Sequence, residues 1–262
     1  MAFPIQNGKY EVVPGLRKMN LEHEKTFWVT DEYEHEIATK WVYSTHRNPV
    51  HVAHDADKGV IDDILLEAGA QFRAENPRST LKMGCRLGMQ VQEDLAIVQE
   101  TDDGNRVIYL HVSFPNGWDP AEKIGGSFAS IHEPVAHFGR MSRQQDQIVR
   151  AMIDRGPFER HAWGIHTTDE LDRLGRPDQW LGCDFKQAVF RTERQTTLGF
   201  PEYRAALFTI HTMITPFEEL AYGQRLELAK AVESMDEEAR AYKGLDVFTI
   251  ARMTSWLRGL EG

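Results

Sequence analysis

Residues 112–135, VSFPNGWDPAEKIGGSFASIHEPV, decide how the chain is read. A β-branched and aromatic run breaks at Pro115-Asn116-Gly117, Trp118 follows, and an acid-and-lysine turn leads into Gly125-Gly126. His132 then stands just ahead of Pro134. That order reads as strand, tight turn, short helix, glycine break, second short helix and a displayed histidine. A neutral imidazole held in this way is a candidate metal ligand.

Upstream, residues 91–99 (VQEDLAIVQ) and 107–114 (VIYLHVSF) read as two strands. Asp102-Asp103-Gly104-Asn105 joins them, and its Asp-Gly step is a strong hairpin signal. Downstream, residues 142–155 form a helix with Ile148, Val149, Met152 and Ile153 on one side, and 162–166 a strand. Residues 188–194 and 205–216 are two further strands around Gly199-Phe200-Pro201. Neither a strand–helix alternation nor a sandwich of many short strands has this order. It predicts an α+β fold, a PAS-like five-stranded antiparallel sheet with helices inserted between its second and third strands. An apolar pocket would lie between sheet and helices, with His132 pointing into it.

The flanks read as helical. After an arm carrying Pro4, Gly8, Pro14 and Gly15, Asp31 can cap a helix with Tyr33, Ile37, Trp41 and Val42 inward. Glu32, Glu34, Glu36 and Lys40 are left for solvent. A second amphipathic helix, 59–72, ends at Asn76-Pro77. A charged helix over 216–235 and a last one near 250–260 follow the sheet. The expected division is an arm and helical flank over 1–80, the sheet core over 81–217 and a C-terminal helical segment over 218–262.

A formal charge of -10 argues against nucleic acid or an anionic membrane as partner, since both repel an acidic surface. No apolar run reaches the roughly 18 residues that a membrane span needs. Cys85 and Cys183 stand far apart in no ligand spacing, which places the chain in the reducing cytoplasm as a soluble protein. An oligomer is compatible with the sequence. The glycines do not form G-x-G-x-x-G between a strand and a helix, so the chain has no nicotinamide or flavin signature of its own.

Three segments, VQEDLAIVQ, residues 112–135 and RTERQTTLGFPEYRAALFTIHTMITPF, resemble the characteristic blocks of the heme-dependent oxidative N-demethylase-like family. FWVTDEYEHEIATKW resembles that family's leading segment, so the likeness runs from about residue 20 to 217 in family order. The resemblance implies a PAS-like heme monooxygenase subunit holding heme b. It implies dioxygen and electrons from an external flavin and iron-sulphur reductase, and removal of a methyl group from a small amine such as dimethylamine, released as formaldehyde. The chain departs from the family pattern at Thr197-Leu198-Gly199-Phe200, and at His211, where the family commonly has arginine.

Beside this resemblance, His132 is the first candidate for the iron ligand, with His137 and His166 as rivals. Arg191 and Arg194 lie three apart and so on opposite faces of a strand; a buried arginine there could stabilise negative charge on bound dioxygen. An ion pair with Glu193 is the plainer reading, and Gln195 and Thr196 could add hydrogen bonds. Trp118 and Phe114 are heme-packing or core aromatics, and Lys123 a propionate partner or one half of a solvated pair with Glu122. Glu93 and Asp94, acids in an apolar strand, could hold a cationic amine. Two other classes remain: a PAS-like heme sensor without turnover, and a non-heme metal enzyme using His51 and His54. Pro49, Val50 and Val52 weaken the helix that the latter needs.

Overall fold

The computed structural model describes residues 3–5, 7–11, 15–79, 81–82, 86–132, 136, 139 and 142–260. The five expected strands are present: β3 (Asp94–Thr101), β4 (Gly104–His111), β5 (Phe158–His166), β6 (Val189–Phe200) and β7 (Ala205–Pro216). Two short strands, β1 (Arg17–Lys18) and β2 (Val50–Val52), extend the sheet to seven, in the order β1-β5-β6-β7-β3-β4-β2 with every pair antiparallel. The sheet is thus wider than the expected five strands. Both additions lie in segments to which the sequence assigns no strand, because a strand of two or three residues leaves no periodicity to detect. Thr101 pairs with Gly104, so the hairpin turns at Asp102-Asp103, and a register shift follows Ile97.

Eight α-helices surround the sheet among the described residues: α1 (Tyr33–Ser44), α2 (Lys58–Glu75), α3 (Pro120–Lys123), α4 (Phe128–His132), α5 (Gln145–Arg155), α6 (Tyr222–Glu233), α7 (Glu237–Lys243) and α8 (Val247–Leu257). α2 ends where Asn76-Pro77 forbids continuation and seats Ile61, Ile64, Ala68 and Phe72 against Leu95, Ile97 and Leu207. α5 places Val149, Met152 and Ile153 against Val98 and Ala206 on the other face. The C-terminal helices pack their apolar residues around Ile165 and Phe190 at the end of β5 and β6.

The expected face of α1 is overturned in part: Tyr33 and Ile37 are half-buried and Glu32 and Glu34 exposed as expected, but the other four residues change places. Trp41 and Val42 are 46% and 56% exposed, whereas Glu36 and Lys40 are buried. The sheet beneath α1 is polar: Lys40 Nζ donates to the Glu93 carbonyl at 2.7 Å and pairs with Asp94 Oδ1 at 3.2 Å. Glu36 accepts from Gln92 at 2.9 Å. The cap also differs, since Glu32 rather than Asp31 precedes the helix and makes no side-chain cap bond.

Candidate active site

Residues directly paired across an antiparallel sheet share a face, and neighbours along a strand alternate. Glu159, His161, Arg194, Thr196, Thr209, His211, Leu95 and Leu207 therefore lie on one face, beneath the N-terminal segment, α1 and α2. Arg160, Ala162, Gly164, His166, Arg191, Glu193, Gln195, Phe208, Ile210, Thr212 and Ala96 lie on the other. The first face is almost wholly buried, but on the second Arg160, Ala162, Glu193, Gln195, Phe208, Ile210 and Ala96 are only half-buried. Half-buried residues in the middle strands of a covered sheet mark a floor that its cover does not fill. That floor, bounded by α4 on one side and reached by α7 on another, is the candidate cleft.

His132 ends α4 and is half-buried. Its Nδ1 lies 2.7 Å from the Phe128 carbonyl, and its ring packs on the Phe128 ring at 4.6 Å between centres. A carbonyl only accepts, so Nδ1 carries the proton and the acceptor lone pair is on Nε2. That division, with one nitrogen donating to the backbone, is the one used by metal-bound imidazoles. Burial lowers the His132 pKa, and the cations Arg160 and Lys123 act in the same direction, against the Phe128 bond and Glu193; the ring is neutral at pH 7. His137 lies outside the described residues. His166, at the end of β5, donates from Nδ1 to Asp178 at 2.9 Å, and its buried Nε2 has no partner among the described residues.

The two arginines do leave opposite faces, and both are buried. Arg194 is on the α1 face, paired with Glu159 at 2.6 Å, donating to the carbonyls of Lys25 (2.5 Å) and Thr26 (3.0 Å), with the Trp28 ring at 4.2 Å. Thr196 sits there too, sharing a hydrogen bond with Thr209. Arg191 and Gln195 are on the cleft face. Arg191 spends its donors on the carbonyls of Phe114 (2.8 Å) and Leu171 (3.0 Å), on Thr212 (3.1 Å) and on Glu193 (3.3 Å). Gln195 donates to Glu193 at 3.0 Å. The four residues expected to act together are therefore split by the sheet, and Arg191 is committed to two backbone carbonyls and two side chains.

Phe114 is core, with the Tyr43 ring edge-on at 6.2 Å and Lys40 Nζ 5.3 Å from its centre. Trp118 packs against Val107, Leu110 and Val112. Lys123 is half-buried and donates to the Ser130 carbonyl at 3.3 Å, which holds α3 against α4. Asp94 accepts from the backbone N–H of Ser113 and Phe114, both at 2.9 Å, and so pins the end of β4. Glu93 lies on the α1 face, fully buried, accepting from Trp28 N–H at 2.8 Å. Glu93 is therefore off the cleft floor, whereas Asp94 pairs with Ile210 and shares the cleft face but is 2% exposed, its oxygens held by Ser113, Phe114 and Lys40.

Two cleft residues escaped the sequence reading. Arg160 faces the floor with a buried Nε that has no partner among the described residues, and burial depresses its pKa against the pull of Glu193. Glu193 is the one carboxylate among the floor residues named above, and it is half-buried. The signal for Arg160 is the alternation Arg160, Ala162, Gly164, His166 within FERHAWGIH, a strand that starts four residues before the expected Ala162. Two further hollows, of about 560 Å³ between α2 and β2 and about 510 Å³ over residues 167–187, hold none of the expected site residues. Among the described residues no three His, Cys, Asp or Glu side chains gather as a metal site, so His51 and His54 form none. No described helix is long and apolar enough to cross a membrane.

Fold and site together define an α+β protein with a cleft over one sheet face and a neutral histidine on its helical wall. The chain belongs to the haem-dependent oxidative N-demethylase, alpha subunit-like family, whose model matches residues 39–251. The match spans six of the seven strands, all but β1, with the inserted helices and most of the C-terminal helices. A search of curated proteins finds no match.

Proposed function

We propose that the chain is a PAS-like heme oxygenase subunit that demethylates a small methylated amine such as dimethylamine. The observation that carries this reading is the pairing of an unfilled cleft floor with His132, whose Nδ1 proton is already spent on Phe128. The residues present suit heme b: Ala96, Phe208, Ile210 and Ile131 offer half-buried apolar surface, and Lys123 and Arg160 offer cations for its carboxylates. His132 would hold the iron through Nε2. Bound there, the heme would supply the reduction of dioxygen and the oxidation of the N-methyl group.

The chain's own residues would do the rest. Arg160, whose Nε has no partner among the described residues, would stabilise negative charge developing over the floor, a role that Arg191, with most of its donors engaged, would fill less well. Glu193 would hold the cationic amine in place of Glu93 or Asp94. Each turnover takes dioxygen, two electrons and two protons, and yields the demethylated amine, formaldehyde and water. The electrons would come from a partner flavin and iron-sulphur reductase.

An absorption spectrum of the purified chain tests this. A Soret band that shifts on reduction and with carbon monoxide, and is lost or displaced in His132→Ala, is expected. No such band after reconstitution with heme removes the proposal, and an unchanged spectrum in His132→Ala moves the ligand to His166 or His137. Formaldehyde from dimethylamine with a supplied reductase is the expected product; gas binding without it would make the chain a sensor.

A further inference from the structure

We propose that the hollow between α2 and β2 binds a straight-chain carboxylate, with the alkyl chain on its apolar floor and the head group between Arg73 and Arg86. The hollow has a volume of about 560 Å³, which is ample for a small-molecule ligand. Its floor is built from Val50, Val52, Ile61, Leu65, Leu81 and Leu87. Ile61 and Leu87 are buried, but Val50, Val52, Leu65 and Leu81 are only half-buried, and Leu66 at the margin is 68% exposed. The core that α2 seals against the sheet thus continues outward as apolar surface that the described chain does not cover.

The rim carries Lys58, Arg73, Lys82 and Arg86, with Asp62 as the one acid among the lining residues. In a chain of formal charge -10 this concentration of cations runs against the overall balance. Lys58 is paired with Asp55 at 2.8 Å, but among the described residues the side chains of Arg73, Lys82 and Arg86 have neither an ion pair nor a hydrogen bond. Charge and apolar surface meet at Gly69. A Cβ there would lie 3.8 Å from Arg73 Nη1, 3.6 Å from Leu81 Cδ1 and 3.9 Å from Leu87 Cδ1. Burial raises the pKa of Tyr109, which also lines the hollow, and the charge of Arg86 opposes that rise, so this cation stands near the β4 side. Asp62 lies near the start of α2 and Arg73 in its last turn, which favours an anionic head at the Arg73 end.

Water alone would solvate the cations and leave the floor wet. A carboxylate with an alkyl chain answers both, because a guanidinium fork accepts two carboxylate oxygens and each methylene laid on the floor strengthens binding by roughly fourfold. Tyr109 pairs with Val52 and Ile97, on the sheet face that α2 covers, so the sheet separates this hollow from the cleft and the proposal does not rest on heme.

Calorimetric titration of the full chain with decanoate, kept below its micelle concentration, tests this. Saturable binding is expected, roughly 15-fold tighter than that of octanoate for two further methylenes. It should also be roughly tenfold or more tighter than that of decanol, which lacks the charge. Arg73 and Arg86 are exposed, so Arg73→Gln combined with Arg86→Gln leaves the fold intact. That double variant should bind decanoate no better than decanol, with its decanol affinity unchanged. No saturable binding, equal affinity for octanoate and decanoate, or an undiminished affinity in the double variant overturns the proposal. Decanoate that competes with heme would place the acid in the cleft and overturns it too, whereas equal affinity with and without heme supports it. Binding to phosphatidylglycerol vesicles without binding of monomeric decanoate would make the hollow a membrane contact and likewise overturns it.

Discussion

Arg191 and Arg194, three residues apart on β6, leave opposite faces of the sheet, and each is 1% exposed. The strand places one guanidinium under the N-terminal segment and the other against the loop that follows β4. Each works as a strut, tying backbone carbonyls of distant segments to the central sheet. Arg194→Met removes the partner of a buried carboxylate, although Glu159 keeps Arg17 at 2.6 Å. Urea denaturation should show a loss of roughly 3 kcal/mol. Heme affinity should stay within about twofold of wild type, since Arg194 is not on the cleft face.

Gly199 marks where α5 lies flat on the sheet. A Cβ there would sit 2.7 Å from the Met152 carbonyl oxygen and still closer to that of Ile153, both backbone atoms of the helix. Gly199→Ala must push α5 away from β6, and is expected to cost roughly 1–3 kcal/mol in denaturant titration. The same shift widens the cleft wall, so any residual heme spectrum should broaden. A stability within about 0.5 kcal/mol of wild type would show that the helix is not held by this contact.

Five strands were legible because hairpin chemistry and β-branched runs survive in a single sequence. So were α2 and α5, whose apolar residues recur at helical spacing. The face of α1 was not legible. Its periodicity points Trp41 inward, but the sheet beneath offers Asp94, Gln92 and the Glu93 carbonyl, and such partners are visible only after folding. Arg160 was hidden for a related reason: it lies just before the expected start of β5 at Ala162, and a cation there has no local mark of lacking a partner among the described residues. His132 stood out through its setting between Gly126 and Pro134, a local feature that sequence does carry.

His166 gives the fold an acid-sensitive hinge. Burial lowers its pKa from 6.5 to about 4, against the opposing pull of Asp178. Between these values the unfolded chain binds the proton and the folded chain does not, so stability is complete above pH 6.5 and falls as the pH drops toward 4. The loss should approach roughly 3 kcal/mol at ~1.4 kcal/mol per pH unit. His166→Asn keeps a donor for Asp178 and should flatten this part of the pH–stability curve.

Arg160 sets stability against function. It is half-buried on the cleft floor, its Nε meets no acceptor among the described residues, and burial holds its pKa down. A cation kept in that state weakens the empty fold, and removing it while retaining the apolar stem relieves the cost. Arg160→Met is therefore expected to raise the thermal midpoint of the heme-free chain by a few degrees, equivalent to about 1 kcal/mol. The same substitution should cut turnover of the N-methyl amine by roughly 100-fold, the range for loss of one oriented donor to developing negative charge. The opposite pattern, a less stable chain with intact turnover, would make Arg160 a structural cation and return the role to Arg191. Arg160→Lys separates charge from geometry: a point charge restores the electrostatic effect on His132, yet lacks the Nε donor, so turnover should recover only in part.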